Sequence, residues 1–281
     1  MARETSQRVM SAPRSAPNAG SPAPGVEGPR LQILLDFDGT LVDPNVAIVL
    51  VEQFCPDGKR VAHEVDEELH AGHITLREAW ARQVALLPPA RLDEMTEFVV
   101  REVPLRQGAD RLLGLLRKFE VPTAIVSGGL EFFIRPVLAR EGIHYPLYAD
   151  GVEYDSDARL RVVHPYGHPT CRLCGICKAN VTVGFATPGV STVFIGDGST
   201  DKYAAEVAEI VFARRRLKDY CARSGIPFFP FEDFDPVTDR LHGWLTGADP
   251  LPPPRPRGLR TSPCPISQDL AREAADAAGP V

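Results

Sequence analysis

The chain has 281 residues, of which 44% are apolar and 24% charged, with a formal net charge of −6 at pH 7. That balance is ordinary for a globular chain with a sizeable core. The acidic charge argues against a protein that coats nucleic acid or lies on an anionic membrane, so an anionic substrate would need local cations, a metal or backbone N–H groups to receive it.

Residues 1–28 are dominated by Ala, Pro, Ser and Gly. They read as a disordered N-terminal segment, and they lack the apolar stretch of a secretory signal. Leu31–Leu35 follows as a nearly continuous apolar run, the signature of a strand buried on both faces. It breaks into Asp36-Phe37-Asp38-Gly39-Thr40. From 44 to 103 the pattern is helical throughout, with periodic runs at Val46–Phe54, His63–His70, Leu76–Leu87 and Leu92–Val100. This block reads as a helical cap inserted after the first strand. Beyond it, strand and helix signals alternate. Helices are expected at Leu112–Phe119, Glu131–Arg140, Asp201–Ala208 and Leu217–Ser224, and strands at Pro122–Val126, Thr192–Ile195, Ile210–Ala213 and Pro227–Phe231. A hairpin is expected within Pro146–Pro165. Such alternation means an α/β fold with a parallel sheet, built from residues 29–43 and 104–247, with ligands at the carboxyl ends of the strands. From 248 to 281 the chain is Pro-rich and reads as a mostly disordered tail with a marginal helix near Leu270–Ala278. No apolar run approaches the ~20 residues of a transmembrane helix, and no membrane or nucleic-acid partner is expected.

Three strands end in polar residues that would converge at one edge of the sheet. Asp36 and Asp38, two apart on extended chain, turn the same way. Ser127 is followed by Gly128 and Gly129, a hydroxyl and two unobstructed N–H groups suited to an anion. Asp197 and Asp201 lie in Gly-Asp-Gly-Ser-Thr-Asp. Four carboxylates in one crevice repel unless a hard cation holds them, and oxygen ligands favour Mg²⁺.

Asp36-Phe-Asp-Gly-Thr, Ser127, Lys178 and Gly196-Asp-Gly-Ser-Thr-Asp201, in that order and spacing, resemble the haloacid dehalogenase-like superfamily, and the likeness spans about residues 31–245. The resemblance implies a Rossmann-like parallel sheet with a small helical cap of the phosphoserine phosphatase kind. Ser127–Phe133 and Cys174-Gly-Ile-Cys-Lys178 look most similar to the phosphatases of methionine salvage, which act on a phosphorylated methylthio-diketopentane enol. Phosphoserine, phosphocholine and phosphoethanolamine phosphatases resemble the chain in the same places. The resemblance implies a Mg²⁺-dependent phosphomonoesterase for a small phosphorylated metabolite. In that reading Asp36 is the nucleophile, forming an aspartyl phosphate, and Asp38 the general acid and base. Ser127, Gly128 and Lys178 bind phosphate, and Asp36, the Asp38 carbonyl, Asp197 and Asp201 hold the metal. Thr200 departs from the Asn often found in the phosphoserine branch.

Glu78 and Arg82, on one cap helix, are candidates for substrate specificity. His164, His168, Cys171, Cys174 and Cys177 are dense enough to suggest zinc, but Cys-x2-Cys-x2-Cys is not a standard finger spacing. Reduced, packed thiols in a cytoplasmic setting are the expectation. Against the phosphatase stand a phosphomutase sharing the aspartyl phosphate and a non-catalytic binding protein using the Pro-Arg tail. Retention of both Asp36 and Asp38 argues against the second. Oligomeric state is not legible in the sequence.

Overall fold

A strand whose residues are all buried needs a neighbour at each edge and cover on each face. Leu31–Leu35 (β1) is such a strand in the computed structural model, which describes residues 30–253 and 255–277. The other strands are β2 (Thr123–Leu130), β3 (Leu147–Tyr154), β4 (Leu160–Val163), β5 (Ser191–Gly196), β6 (Ile210–Ala213) and β7 (Phe229–Pro230). They form one sheet in the order β4-β3-β2-β1-β5-β6-β7, and every neighbouring pair is parallel except β3 and β4. The expected hairpin is β3–β4, closed by Asp155, whose side chain accepts from the N–H groups of Asp157 and Arg159.

Five helices separate β1 from β2, and the first four fill the inserted block: α1 (Val46–Phe54), α2 (Gly58–His70), α3 (Leu76–Val84) and α4 (Leu92–Glu102). The chain leaves and re-enters the sheet layer at one place, where Val42 and Leu105 form an antiparallel bridge. The remaining helices are α5 (Ala109–Lys118), α6 (Glu131–Arg140), α7 (Lys178–Phe185), α8 (Lys202–Val207), α9 (Arg215–Arg223), α10 (Asp235–Leu245) and α11 (Pro265–Ala277). Alternation along β1 divides the apolar interior. Ile33 and Leu35 join a layer with Leu112, Ile134 and Val237, while Leu34 joins one with Ala204 and Leu217. Val46, Leu50, Met95 and Val99 continue the first layer into the inserted helices.

Several boundaries differ from the sequence reading. β2 runs past Val126 through Ser127, Gly128 and Gly129, because its pairing to β3 resumes at Leu130 after an irregularity. The segment 1–28 lies outside the described residues. The larger correction concerns the tail. α11 is a helix of 13 residues that packs on α7 and α8, burying its own Ser267 and the preceding Cys264. Upstream, the Arg255 side chain donates to the carbonyls of Ala205 and Ala208 at the end of α8, and the Gly258 N–H donates to Glu206 O at 2.8 Å. Composition misleads here because the segment is held by polar bonds to orphan helix carbonyls, not by a large apolar core of its own.

Candidate active site

The ends of β1, β2 and β5 and the start of α7 bring the expected polar residues together. After Asp36 the chain makes a wide turn, with Leu41 and Val42 donating back to the carbonyls of Asp36 and Phe37 at 3.3 and 3.1 Å. Phe37 is buried in the core, which leaves Asp36 and Asp38 on the opposite side. Gly39 sits at φ +74°, and any Cβ there would strike the Asp197 carboxylate, so glycine permits β1 and β5 to present their acids to one another. Gly129 has the same role toward Asp38.

Lys178, the first residue of α7, is buried, and its ammonium lies 2.6 Å from Asp36 Oδ1 and 2.5 Å from Asp201 Oδ1. The other Asp201 oxygen accepts from the N–H groups of Asp197 and Gly198 at 2.9 and 2.8 Å. Asp201 thus shapes its own loop while it neutralises the lysine. Thr40 Oγ1 donates toward Asp36 Oδ2 and Asp197 Oδ1, at 3.1 and 3.3 Å. Asp38 is held separately: Oδ1 accepts the Val46 N–H of α1 at 2.9 Å, and Oδ2 accepts the Ser127 hydroxyl at 3.1 Å. Ser127 Oγ in turn accepts the Gly129 N–H at 2.9 Å.

Burial shapes the electrostatics. It pushes the Asp38 carboxyl up to about 6, against the opposing effect of the Val46 N–H and the Ser127 hydroxyl. Burial, then repulsion from Asp201, raises Asp197 to about 6 as well, and the same two causes lift Asp36 well above the ordinary range despite Lys178. For Lys178 burial alone would favour the neutral amine, but Asp201 and Asp36 outweigh it and hold the ammonium charged. Oxygens of Asp36, Asp197 and Asp201 all lie within 4.8 Å of one another, the sole such group of three or more metal-ligating side chains among the described residues.

Asp36, Asp38, Gly128 and Asp197 open on a cavity of about 650 Å³ between the sheet edge and the inserted helices. Its far wall includes Ile48, Val65, Leu69, Leu76 and Trp80. Glu78 and Arg82 are not part of that wall. Glu78 closes a capping box with Thr75 at the start of α3, and Arg82 pairs with Glu68 at 2.7 Å. Arg215 is a lining residue that sequence reasoning missed. It holds φ +43°, and its guanidinium lies 3.7 Å from Asp197. Beside it Arg216 reaches Asp66 of α2 at 3.2 Å.

Among the described residues the cysteines and histidines of 164–177 do not bring three ligand atoms within 4.8 Å of one another. His164 Nδ1 lies 2.9 Å from Asp150 Oδ1, and His168 Nδ1 accepts the Cys171 N–H at 3.0 Å. Cys174 and Cys177 pack with Cys264 from the tail, and burial pushes the Cys174 thiol up to about 12.

Comparison with known proteins agrees with this geometry. The model of the haloacid dehalogenase-like hydrolase family matches residues 33–206. The "2-hydroxy-3-keto-5-methylthiopentenyl-1-phosphate phosphatase" of Geobacillus kaustophilus (strain HTA426) is 31% identical over 216 residues, covering 75% of this chain and 96% of that protein. The protein of the same name from Bacillus cereus (strain G9842) is 27% identical over 212 residues, covering 75% and 95%. Among solved structures, a phosphoserine phosphatase described as a phospho-aspartyl intermediate analogue superposes with a TM-score of 0.58 at 18% identity, covering 75% of this chain and 98% of that one. A phosphoserine phosphohydrolase-like protein from Francisella tularensis gives 0.58 at 19%, covering 75% and 99%. The family match spans more than half of the chain and takes in the acidic cluster, Ser127 and Lys178; the chain belongs to the haloacid dehalogenase-like hydrolase family.

Proposed function

We propose that the protein hydrolyses a small phosphomonoester through an aspartyl phosphate on Asp36. The observation that carries this reading is the contact of one buried ammonium, Lys178, with both Asp36 and Asp201, next to an Asp38 whose carboxyl is poised near pH 6. Asp36 attacks phosphorus, and the departing alkoxide takes the proton of Asp38. Asp38, now a carboxylate, takes a proton from water as that water attacks the phosphoenzyme, releasing phosphate and restoring both acids. Lys178 holds the attacking carboxylate and offers its charge to the phosphoryl oxygens, and the Ser127 hydroxyl and the Gly128 N–H lie where such oxygens need donors.

The donor set fits a hard divalent cation, since Asp36, Asp197 and Asp201 are buried oxygens gathered within 4.8 Å whose mutual repulsion a cation relieves. Mg²⁺ would be held by Asp36, the Asp38 carbonyl, Asp197 and Asp201, and when bound it neutralises charge on the transferring phosphoryl group. The helical block 44–103 acts as the cap that closes over the core of 29–43 and 104–247 and excludes water. The Val42–Leu105 bridge supports that division.

For the substrate, the reading follows the relatives named above: an enol phosphate with a short thioether tail. Ile48, Val65, Leu69 and Trp80 offer such a tail an apolar patch, beside Glu52, Lys59, His63 and Asp66 on the same helices. Six free cysteines suit a reducing cytoplasm. The test is phosphate release from a panel of phosphomonoesters, with Asp36→Asn as control. Release by the wild type alone is expected. No release from any ester, or wild-type rates from Asp36→Asn, would overturn the proposal.

A further inference from the structure

We propose that Arg106 and Arg214 form a guanidinium clamp that sets the peptide behind Asp38 for phosphoryl binding; the inference rests on the phosphatase reading above. Both side chains are only 6% exposed, and both reach the same atom. Arg106 Nη2 and Arg214 Nη1 donate to the Gly39 carbonyl at 2.7 and 2.8 Å. Arg106 also donates through Nε to Thr40 O at 2.7 Å, and through Nη1 to Glu232 O at 3.2 Å.

Two like charges converging on one carbonyl is a costly arrangement in a protein interior. The counter-ions are sparse. Asp43, 2.7 Å from Arg106 and 3.8 Å from Arg214, is 59% exposed, and Glu232, 3.3 Å from Arg214, is 73% exposed, so neither carboxylate is buried with the charges it meets. Burial, then Arg214, makes it harder for Arg106 to hold its proton. A single arginine, or an apolar plug, would pin the loop with less repulsion. The second charge therefore calls for a role beyond packing.

Planarity of the peptide bond supplies that role. In the trans peptide joining Gly39 to Thr40, the Thr40 N–H points opposite to the Gly39 carbonyl, away from the clamp. The residue that carries this N–H also holds the nucleophile, for the Thr40 hydroxyl donates to Asp36 and Asp197. A carbonyl drawn by two guanidinium groups polarises its peptide and makes the N–H at the other end a stronger donor. The clamp thus fixes, beside the attacking carboxylate, a residue that offers a strengthened backbone donor and a hydroxyl already on Asp36. It also ties that donor to the cap. Arg106 directly follows the Val42–Leu105 bridge, its own N–H donates to Leu41 O at 2.9 Å, and its Nη2 lies 3.5 Å from Val42 O. Arg106 and Arg214 are positioning residues, acting through the 39–40 peptide.

The test compares Arg106→Lys, Arg106→Gln and Arg214→Gln with the wild type in kcat, KM and the inhibition constant of vanadate, each normalised to folded protein. Displacement of a donor by about 1 Å costs on the order of 100-fold. The expected result is a kcat loss of about that size in the glutamine variants, a smaller loss in Arg106→Lys, and vanadate binding weakened in proportion to kcat. KM should change by less than about threefold, because the polarised donor matters most in the transition state. Unchanged vanadate affinity in variants that have lost kcat, or kcat within twofold of wild type in all three, would overturn the clamp. A wild type that neither releases phosphate nor binds vanadate would instead remove the phosphatase reading, and this inference with it.

Discussion

Asp38 should make the metal-free protein less stable at neutral pH, and replacing it with asparagine should stabilise the fold. Burial carries its carboxyl from 3.8 to about 6. At 1.36 kcal/mol for each tenfold change in proton affinity, that difference corresponds to about 3 kcal/mol. The sign follows from which state binds the proton more tightly. The folded chain does, so the group favours folding most below pH 3.8, loses that contribution as the pH rises to about 6, and stays unfavourable above it. Asparagine never ionises and carries no such penalty. It also keeps an acceptor for the Val46 N–H and a partner for Ser127 Oγ, so the loss in hydrogen bonding is about 1 kcal/mol or less. In urea or thermal unfolding with EDTA present, Asp38→Asn should therefore exceed the wild type by about 2–3 kcal/mol at pH 7.5. In a chain of this size that is ~4–12 °C in Tm. The gap should close toward pH 4, while turnover falls by about 100-fold or more. A variant less stable than wild type at pH 7.5, or a gap that does not vary with pH, would refute the reasoning.

Lys178→Met leaves two buried carboxylates without their cation, which costs about 3–5 kcal/mol. A drop in Tm of several degrees together with lost turnover is expected, and a Tm within 2 °C of wild type would contradict it. EDTA should abolish phosphate release and added Mg²⁺ restore it, with beryllium fluoride inhibiting only when Mg²⁺ is present; full activity in metal-free buffer counts against the acidic cluster as a cation site. Removing residues 249–281 uncovers α8 and strips Arg255 and Cys264 from it, so calorimetry should show a loss of at least about 2 kcal/mol. An unchanged unfolding curve would mean that the docked segment adds nothing to stability.

Much of this was legible in the sequence, and for a physical reason. Asp36, Asp38, Ser127 and Asp197 stand at the ends of apolar runs whose burial is plain, whereas Lys178 and Asp201 were singled out by the order and spacing of the family resemblance. Arg106 and Arg214 were not legible, because a lone arginine looks solvated until the fold shows which carbonyls surround it. Glu78 failed for the opposite reason. Thr75-x-x-Glu78 is a capping-box spacing visible in the sequence, and it already assigned that carboxylate to the start of α3. The stretch around Arg255 misled because its composition counts apolar residues, whereas its attachment is a guanidinium on helix-end carbonyls.

That attachment bears on the timing of synthesis. Asp197 and Asp201 lie in the loop that leads into α8, and α8 has only six residues. The Ala205 carbonyl near its end is met by a side chain 50 positions further along the chain. At about 5–20 residues per second, a ribosome needs ~3–10 s to add that stretch, and longer to release it from the exit tunnel. Until then the carbonyls at the end of α8 have only water as their partner, and this short helix is held by its packing on α7 and α9 alone. The nascent chain therefore passes through a period in which its sheet and its acidic loop are made but the helix that follows the loop still lacks its last hydrogen-bond partners.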